Sequence, residues 1–180
     1  MPALAFAARF VAVILLAAIA GFFYAYWCSV MIGLDAAGAQ TALPAMQAIN
    51  RMVRNAMFAP AFFGPLIALP LAAALSWRAG ADHSARLLAA ALAVYGVGAF
   101  GVTVSANVPL NADLARVAAD APDLEARWRH YLAYWSDWNA LRAAASFLAL
   151  AFAALALGHR SCPSCPRAQA PYLPPHDSAS

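Results

Sequence analysis

The sequence predicts an all-α protein: a four-helix transmembrane bundle with an amphipathic interfacial helix between helices 1 and 2 and a disordered C-terminal tail. Composition and the spacing of charge lead there. Of 180 residues, 64% are hydrophobic and only 11% charged, against roughly 25% charged in an ordinary soluble domain. The 11 basic residues are all arginine and face 8 acids, so the net charge of +3 builds no basic field. That argues for no nucleic acid among the partners. Four stretches carry no Asp, Glu, Lys or Arg: Phe10 to Leu34, Asn55 to Trp77, Leu87 to Ala112 and Ala143 to His159. Each approaches or exceeds the ~20 residues that cross a bilayer's hydrocarbon, and the many alanines suit helices that pack closely.

The first stretch begins like a signal peptide, with Arg9 as its charge and Ala18-Ile19-Ala20 as a cleavage site, but its apolar run continues to Val30. A cleaved segment needs no such extension, so the first helix is read as retained. After Thr41-Ala-Leu-Pro44, the residues Met46, Ile49, Val53 and Met57 share one helical face, and Gln47, Asn50, Arg51 and Arg54 share the other. This spacing predicts an amphipathic helix along the membrane surface. The second span holds Pro60, Pro65 and Pro70, which are expected to bend it. The third leaves the membrane near Asn107-Val-Pro-Leu-Asn111, and Pro122 between Asp120 and Asp123 turns the chain into a last helix that starts outside the bilayer. Beyond Gly158, prolines and serines replace the apolar runs. The organisation is therefore a membrane domain, 1–158, and a disordered tail, 159–180.

Four crossings put the loops after the first and third helices on one side. Arg51, Arg54, Arg116, Arg127, Arg129 and Arg142 fall on that side or at its boundary and Arg9, Arg78, Arg86, Arg160 and Arg167 on the other, so the arginines alone do not decide the orientation. Asp35, Asp113, Asp120, Asp123, Glu125 and Asp137 also fall on the first side, and this acidic skew mildly favours placing it outside. The expectation is a multi-pass protein of the bacterial inner membrane with both termini cytoplasmic.

In the last helix Trp128, Tyr131, Trp135, Trp138 and Arg142 follow a 3, 4, 3, 4 spacing, with Asn139 beside them. They form one stripe. An aromatic belt at the interface is the plain explanation, but a cation one turn inside the hydrocarbon is costly and faces a cavity or a partner. Asn107 and Asn111 either cap and turn the chain or contribute polar groups to a site. Gln47 and Asn50 have the same two readings, as a wet helix face or as part of that site. His130 shares a face with Tyr134 and Asp137, off the stripe. Cys162-Pro-Ser-Cys165 with His159 and His176 offers four zinc-type ligands, yet in a proline-rich tail without apolar support. No metal is assigned.

Taken together, Gly21-Phe22-Phe23 with Met31 and Gly33-Leu34, Met46-Gln47-x-Ile49-Asn50, Asn55-x-x-Phe58-x-x-x-Phe62-x-Gly64, Asn107-Val-Pro-Leu-Asn111 and Trp128-x-x-Tyr131-x-x-x-Trp135-x-x-Trp138-Asn139-x-x-Arg142 resemble the anthrone oxygenase-like family of small integral-membrane proteins. The resemblance covers about residues 10 to 158. It departs from the pattern at Ala56, where proline is expected, and in the cysteine-bearing tail. The resemblance implies oxidation of an anthrone-like or other enolisable planar aromatic by dioxygen, a monooxygenase-type oxidoreductase chemistry without a cofactor. On that reading Arg142, Asn139, Asn107 and Asn111 form the catalytic set. Tyr131, Trp135, Trp138, Gln47 and Asn50 bind the substrate, and His130, Asp113 and Asp137 are candidate proton acceptors. The alternative is a non-enzymatic membrane protein that binds a lipid, quinone or protein partner in the same groove.

Overall fold

The computed structural model describes residues 2–158, which are helical with no strand among them. Five helices follow one another: α1 (Pro2–Ala36), α2 (Ala39–Met52), α3 (Phe58–Arg78), α4 (Asp82–Leu114) and α5 (Leu124–Gly158). All except α2 are long and apolar enough to cross a membrane, so the fold is an all-helical membrane bundle. Expectations for the tail, including Cys162, Cys165, His159 and His176, lie outside the described residues.

The four long helices close a ring in which α1 and α4 each pack on both α3 and α5. Leu16, Ile19, Phe23, Leu69, Leu88 and Tyr95 fill its centre together with small residues. Small side chains set the spacing: a Cβ at Gly98 of α4 would stand 2.6 Å from the Ala145 Cβ of α5. At the end of the bundle near the N-terminus, Arg9 is buried and donates to Ser76 Oγ of α3, Ser84 Oγ of α4 and the Ala156 carbonyl of α5. This arginine ties all four helices together rather than reaching into water.

Helix α3 runs on through Pro65 and Pro70. Pro60 stands in its first turn, where the missing N–H would lack a helical partner anyway. Next to the Ala61 carbonyl, which Pro65 leaves without its helical N–H, the Phe62 carbonyl accepts from the Tyr95 hydroxyl at 2.7 Å, and this bond ties α3 to α4.

Two expectations change. The amphipathic segment does not reach Met57: α2 stops at Met52, and Asn55 Oδ1 accepts from the backbone N–H groups of Met57 and Phe58. That cap starts α3 and leaves Met57 91% exposed. Asn107 does not turn the chain out of the membrane, because α4 continues to Leu114. Wide π-type turns at Gly96–Gly101 and Thr103–Asn107 precede Pro109, with the Val108 N–H donating to the Thr103 carbonyl. Such a turn absorbs the backbone mismatch that proline imposes.

At the end of the bundle away from Arg9, the ends of α1, α4 and α5 meet α2 in a second core built on Met31, Leu43, Met46, Leu114, Trp128 and Tyr131. Gly38, at φ 77°, makes the turn from α1 into α2 in a conformation that a side chain would strain.

Candidate functional site

On α5 the stripe buries Trp128, Tyr131, Trp135 and Arg142, but Trp138 is 40% exposed. Asn139, fully buried, takes the place expected for it. At 3.6 residues per turn Trp138 and Asn139 lie about 50° to either side of the stripe's centre, so packing separates them: Asn139 meets the Phe23 carbonyl of α1 and the Arg142 guanidinium. Trp138 is not among the residues that line the aromatic cavity beside Arg142.

The Arg142 side chain is held from several directions. Its guanidinium carbon lies 4.5 Å from the Phe23 ring centroid and 5.0 Å from that of Trp135, both within cation–π range. Nη2 donates to Asn139 Oδ1 at 2.9 Å and Nη1 to Thr103 Oγ1 at 3.3 Å. Nε has no partner, and neither has the indole Nε1 of Trp135. Arg142 is only 5% exposed, yet no carboxylate pairs with it among the described residues. Their ion pairs, Arg116–Asp113, Arg127–Asp123 and Arg129–Glu125, all lie at the surface.

A cavity of about 710 Å³ opens beside this guanidinium. Its walls include Phe22, Phe23 and Tyr26 of α1, Phe58 and Phe62 of α3, Phe100, Thr103 and Asn111 of α4, and Trp135 and Arg142 of α5. Because α3 begins only at Phe58, the end of α2 and the turn after it supply further wall, through Asn50, Val53, Arg54 and Asn55. The rings pack on one another: Phe22 on Phe58 at 4.9 Å, Phe58 stacked on Phe62 at 5.4 Å, Phe62 on Phe100 at 5.5 Å and Tyr26 on Trp135 at 5.6 Å between centroids. An apolar, aromatic enclosure with a buried cation at Arg142, an exposed one at Arg54 and a few amides suits a planar ligand that carries a negative oxygen.

The other expected residues divide by position. Asn50 and Asn111 line the cavity, and the Tyr131 hydroxyl joins them, donating to Asn111 Oδ1 at 2.8 Å and accepting from Asn50 Nδ2 at 3.4 Å. Asn139 stands behind Arg142, with its own amide donated to the Phe23 carbonyl at 2.9 Å. Asn107 is buried outside the walls and donates to the Trp135 carbonyl at 3.3 Å. Gln47 is neither a wet-face residue nor a cavity residue: its amide donates to the carbonyls of Leu114 and Val117 and closes the end of α4. His130 and Asp137 are exposed, and Asp113 is paired with Arg116. None of these three lines the cavity beside Arg142.

Thr103 and Phe100 were not singled out in the sequence, and Phe22, Phe23, Phe58 and Phe62 stood in its motifs without a role in the site. Thr103, Asn107 and Asn111 recur every fourth residue in an otherwise apolar span, a signal that could have pointed to Thr103. The wide turn at Thr103–Asn107 then alters the phase, so Thr103 and Asn111 reach the cavity while Asn107 does not.

A model of the anthrone oxygenase family matches residues 54–152. The chain belongs to the anthrone oxygenase family. No curated protein and no solved structure matches it. The anthrone oxygenase match takes in α3, α4 and most of α5, and so includes Arg142, Thr103, Asn111 and Trp135. The walls from α1 and α2, with Phe23, Tyr26 and Asn50, precede the matched range.

Proposed function

We propose that the cavity binds a planar, enolisable aromatic such as an anthrone and that dioxygen oxidises it there. The observation that carries this reading is Arg142, a buried guanidinium between two rings with no carboxylate partner, on the wall of an aromatic cavity. Burying a charge without a partner costs several kcal/mol. An enolate or phenolate oxygen in the cavity, whose walls include Arg142, offsets that cost.

In this reading, loss of one methylene proton gives an enolate whose oxygen lies against Arg142. The wall residues include no carboxylate or imidazole, so the proton leaves to water and the guanidinium favours ionisation through its charge. The electron-rich enolate passes one electron to dioxygen. The two radicals join as a peroxide at the former methylene carbon, and loss of water leaves a carbonyl there. In total CH2 becomes C=O, one oxygen atom enters the product, and the other departs as water with the two methylene hydrogens. The substrate supplies the electrons and no cofactor is invoked. Asn139 and Thr103 orient the guanidinium, while Phe23, Tyr26 and Trp135 hold the ring system. We place the protein in the bacterial inner membrane with the Arg9 end of the bundle cytoplasmic, supported by the acidic skew of the opposite loops.

The same lack of a base on the walls favours a second reading, a protein that binds an already anionic lipid or quinol without turnover. Dioxygen uptake by the purified protein supplied with anthrone separates the two. Oxidation predicts one dioxygen consumed per anthraquinone formed, at a rate that Arg142→Lys lowers about 100-fold. Saturable binding of anthrone without uptake assigns the second reading, and absence of both removes each.

A further inference from the structure

The cavity's rim differs from side to side. On α1 and α5 the wall residues Phe22, Phe23, Tyr26, Trp135 and Arg142 are buried or half-buried. On α3 and α4 the walls include the exposed Phe63, Val104 and Val108. These belong to the outward stripes of two adjacent helices: Phe63 continues into Ile67 and Leu71, and Val104 follows Val97, all of them exposed. In a bilayer such stripes face acyl chains. Helix α3 has 21 residues and rises about 31 Å, the thickness of the hydrocarbon. Phe63, more than a turn below its start, therefore lies within hydrocarbon and not among headgroups. The guanidinium is at the same depth, because Arg142 Nη1 donates to Thr103, the residue before Val104. Arg54 and Asn55, also exposed and also on the rim, mark the headgroup level above.

We infer that the cavity opens sideways into the bilayer between α3 and α4, past Phe63 and Val104, and that its ligand is a bilayer-dissolved molecule with a flat apolar body and a single acidic oxygen. This rests on the reading of Arg142 as the anchor of a negative oxygen. A water-dissolved anion would have to shed its hydration before meeting an aperture bordered by valine and phenylalanine. A molecule already in the acyl-chain region meets that aperture directly and turns only its oxygen toward the guanidinium. The apolar lip thus selects by solubility, and the cation selects by charge.

Two probes separate the route from the anchor: 6-dodecyl-2-naphthol, which stays in lipid, and 2-naphthol-6-sulfonate, which stays in water. The protein is reconstituted in phosphatidylcholine vesicles, and naphthol binding is followed by stopped-flow fluorescence, with Arg142→Gln marking the signal that belongs to the site. Lateral access predicts that the association rate of dodecylnaphthol follows its mole fraction in the lipid, falling about tenfold when lipid is raised tenfold at constant total probe. Val104→Trp, which narrows the aperture, is expected to slow association of dodecylnaphthol at least tenfold. Val108→Trp serves the same purpose if the first variant does not fold. The sulfonate should bind at least 100-fold more slowly. Arg142-dependent binding in which the sulfonate associates as fast as dodecylnaphthol, or in which lipid dilution has no effect, overturns the lateral route and leaves the anchor standing. If dodecylnaphthol gives no signal that Arg142→Gln removes, the anchor fails and the route fails with it.

Discussion

Asn139 Oδ1 accepts a hydrogen bond of 2.9 Å from Nη2 of Arg142, while the Asn139 amide is committed to the Phe23 carbonyl. One side chain thereby fixes the guanidinium of α5 relative to α1, and it does so without neutralising the charge. A carboxylate in the same place would hold the same geometry and cancel the cation. The choice of a neutral amide keeps the charge of Arg142 for something outside the protein.

Asn139→Asp tests this directly. The variant should fold, since the carboxylate gains an ion pair with Arg142 in exchange for the donor lost toward Phe23, a trade of about 1–3 kcal/mol in each direction. Binding of an anionic naphthol probe should fall roughly 100-fold, equivalent to about 2.7 kcal/mol. Undiminished probe affinity in a folded Asn139→Asp protein would show that the charge of Arg142 is not the anchor.

Arg142→Gln and Arg142→Lys divide structural from ligand roles. Because Arg142 has no carboxylate partner, removing its charge strands no buried anion, so Arg142→Gln should retain membrane yield and thermal midpoint. Arg142→Lys keeps the charge but loses the planar face between Phe23 and Trp135 and the fork toward Asn139 and Thr103. Both variants should lose probe binding, with the lysine variant retaining the larger remnant. A large drop in thermal midpoint for Arg142→Gln would assign the residue to the bundle instead.

Arg9 is the contrasting case. Its bonds to Ser76, Ser84 and the Ala156 carbonyl lie at the opposite end of the bundle from the cavity. Arg9→Ala removes the donor that joins the four helices and leaves only the hydroxyl bonds of Ser76 to Ala72 and of Ser84 to Ala156, a loss of about 1–3 kcal/mol for each bond to the charged group. The thermal midpoint should drop while the naphthol affinity of the folded fraction stays as in the unaltered protein.

Gly98→Ala should act on both bundle and site. The added methyl would meet the Ala145 Cβ at 2.6 Å, and overpacking of this kind costs about 1–3 kcal/mol. Relief by separating α4 from α5 also draws Thr103 away from Arg142. A fall in thermal stability accompanied by weaker probe binding is the expected pair of results, measured on the same reconstituted sample.

Topology can be read from reporter fusions. Fusions after Gly80 and after Gly158 should report the cytoplasmic side, and those after Ala37 and Ala119 the opposite side. Agreement between Gly80 and Ala119 would be incompatible with four crossings.

The spans, their number and the burial of Arg142 were legible in the sequence, because crossing a bilayer demands long uncharged runs and tolerates an interior arginine only at a protected place. The aromatic stripe of α5 was legible too, since one helix obeys one period. At Trp138 and Asn139, which flank that stripe on its two sides, packing against α1 and Arg142 decided which one is buried. Tertiary structure alone decided the rest. The π-type turn at Thr103–Asn107 sets which polar residues of α4 face the cavity, and it arises from backbone accommodating Pro109 within a packed helix, which residue spacing does not encode. Gln47 was drawn to the end of α4 by carbonyls left open there. The phenylalanine walls come from separate helices, and an apolar residue looks the same in sequence whether it faces lipid, a neighbouring helix or a cavity. Only the packing of α1, α3, α4 and α5 tells these apart, because burial is a property of what lies across from a side chain and not of the side chain itself.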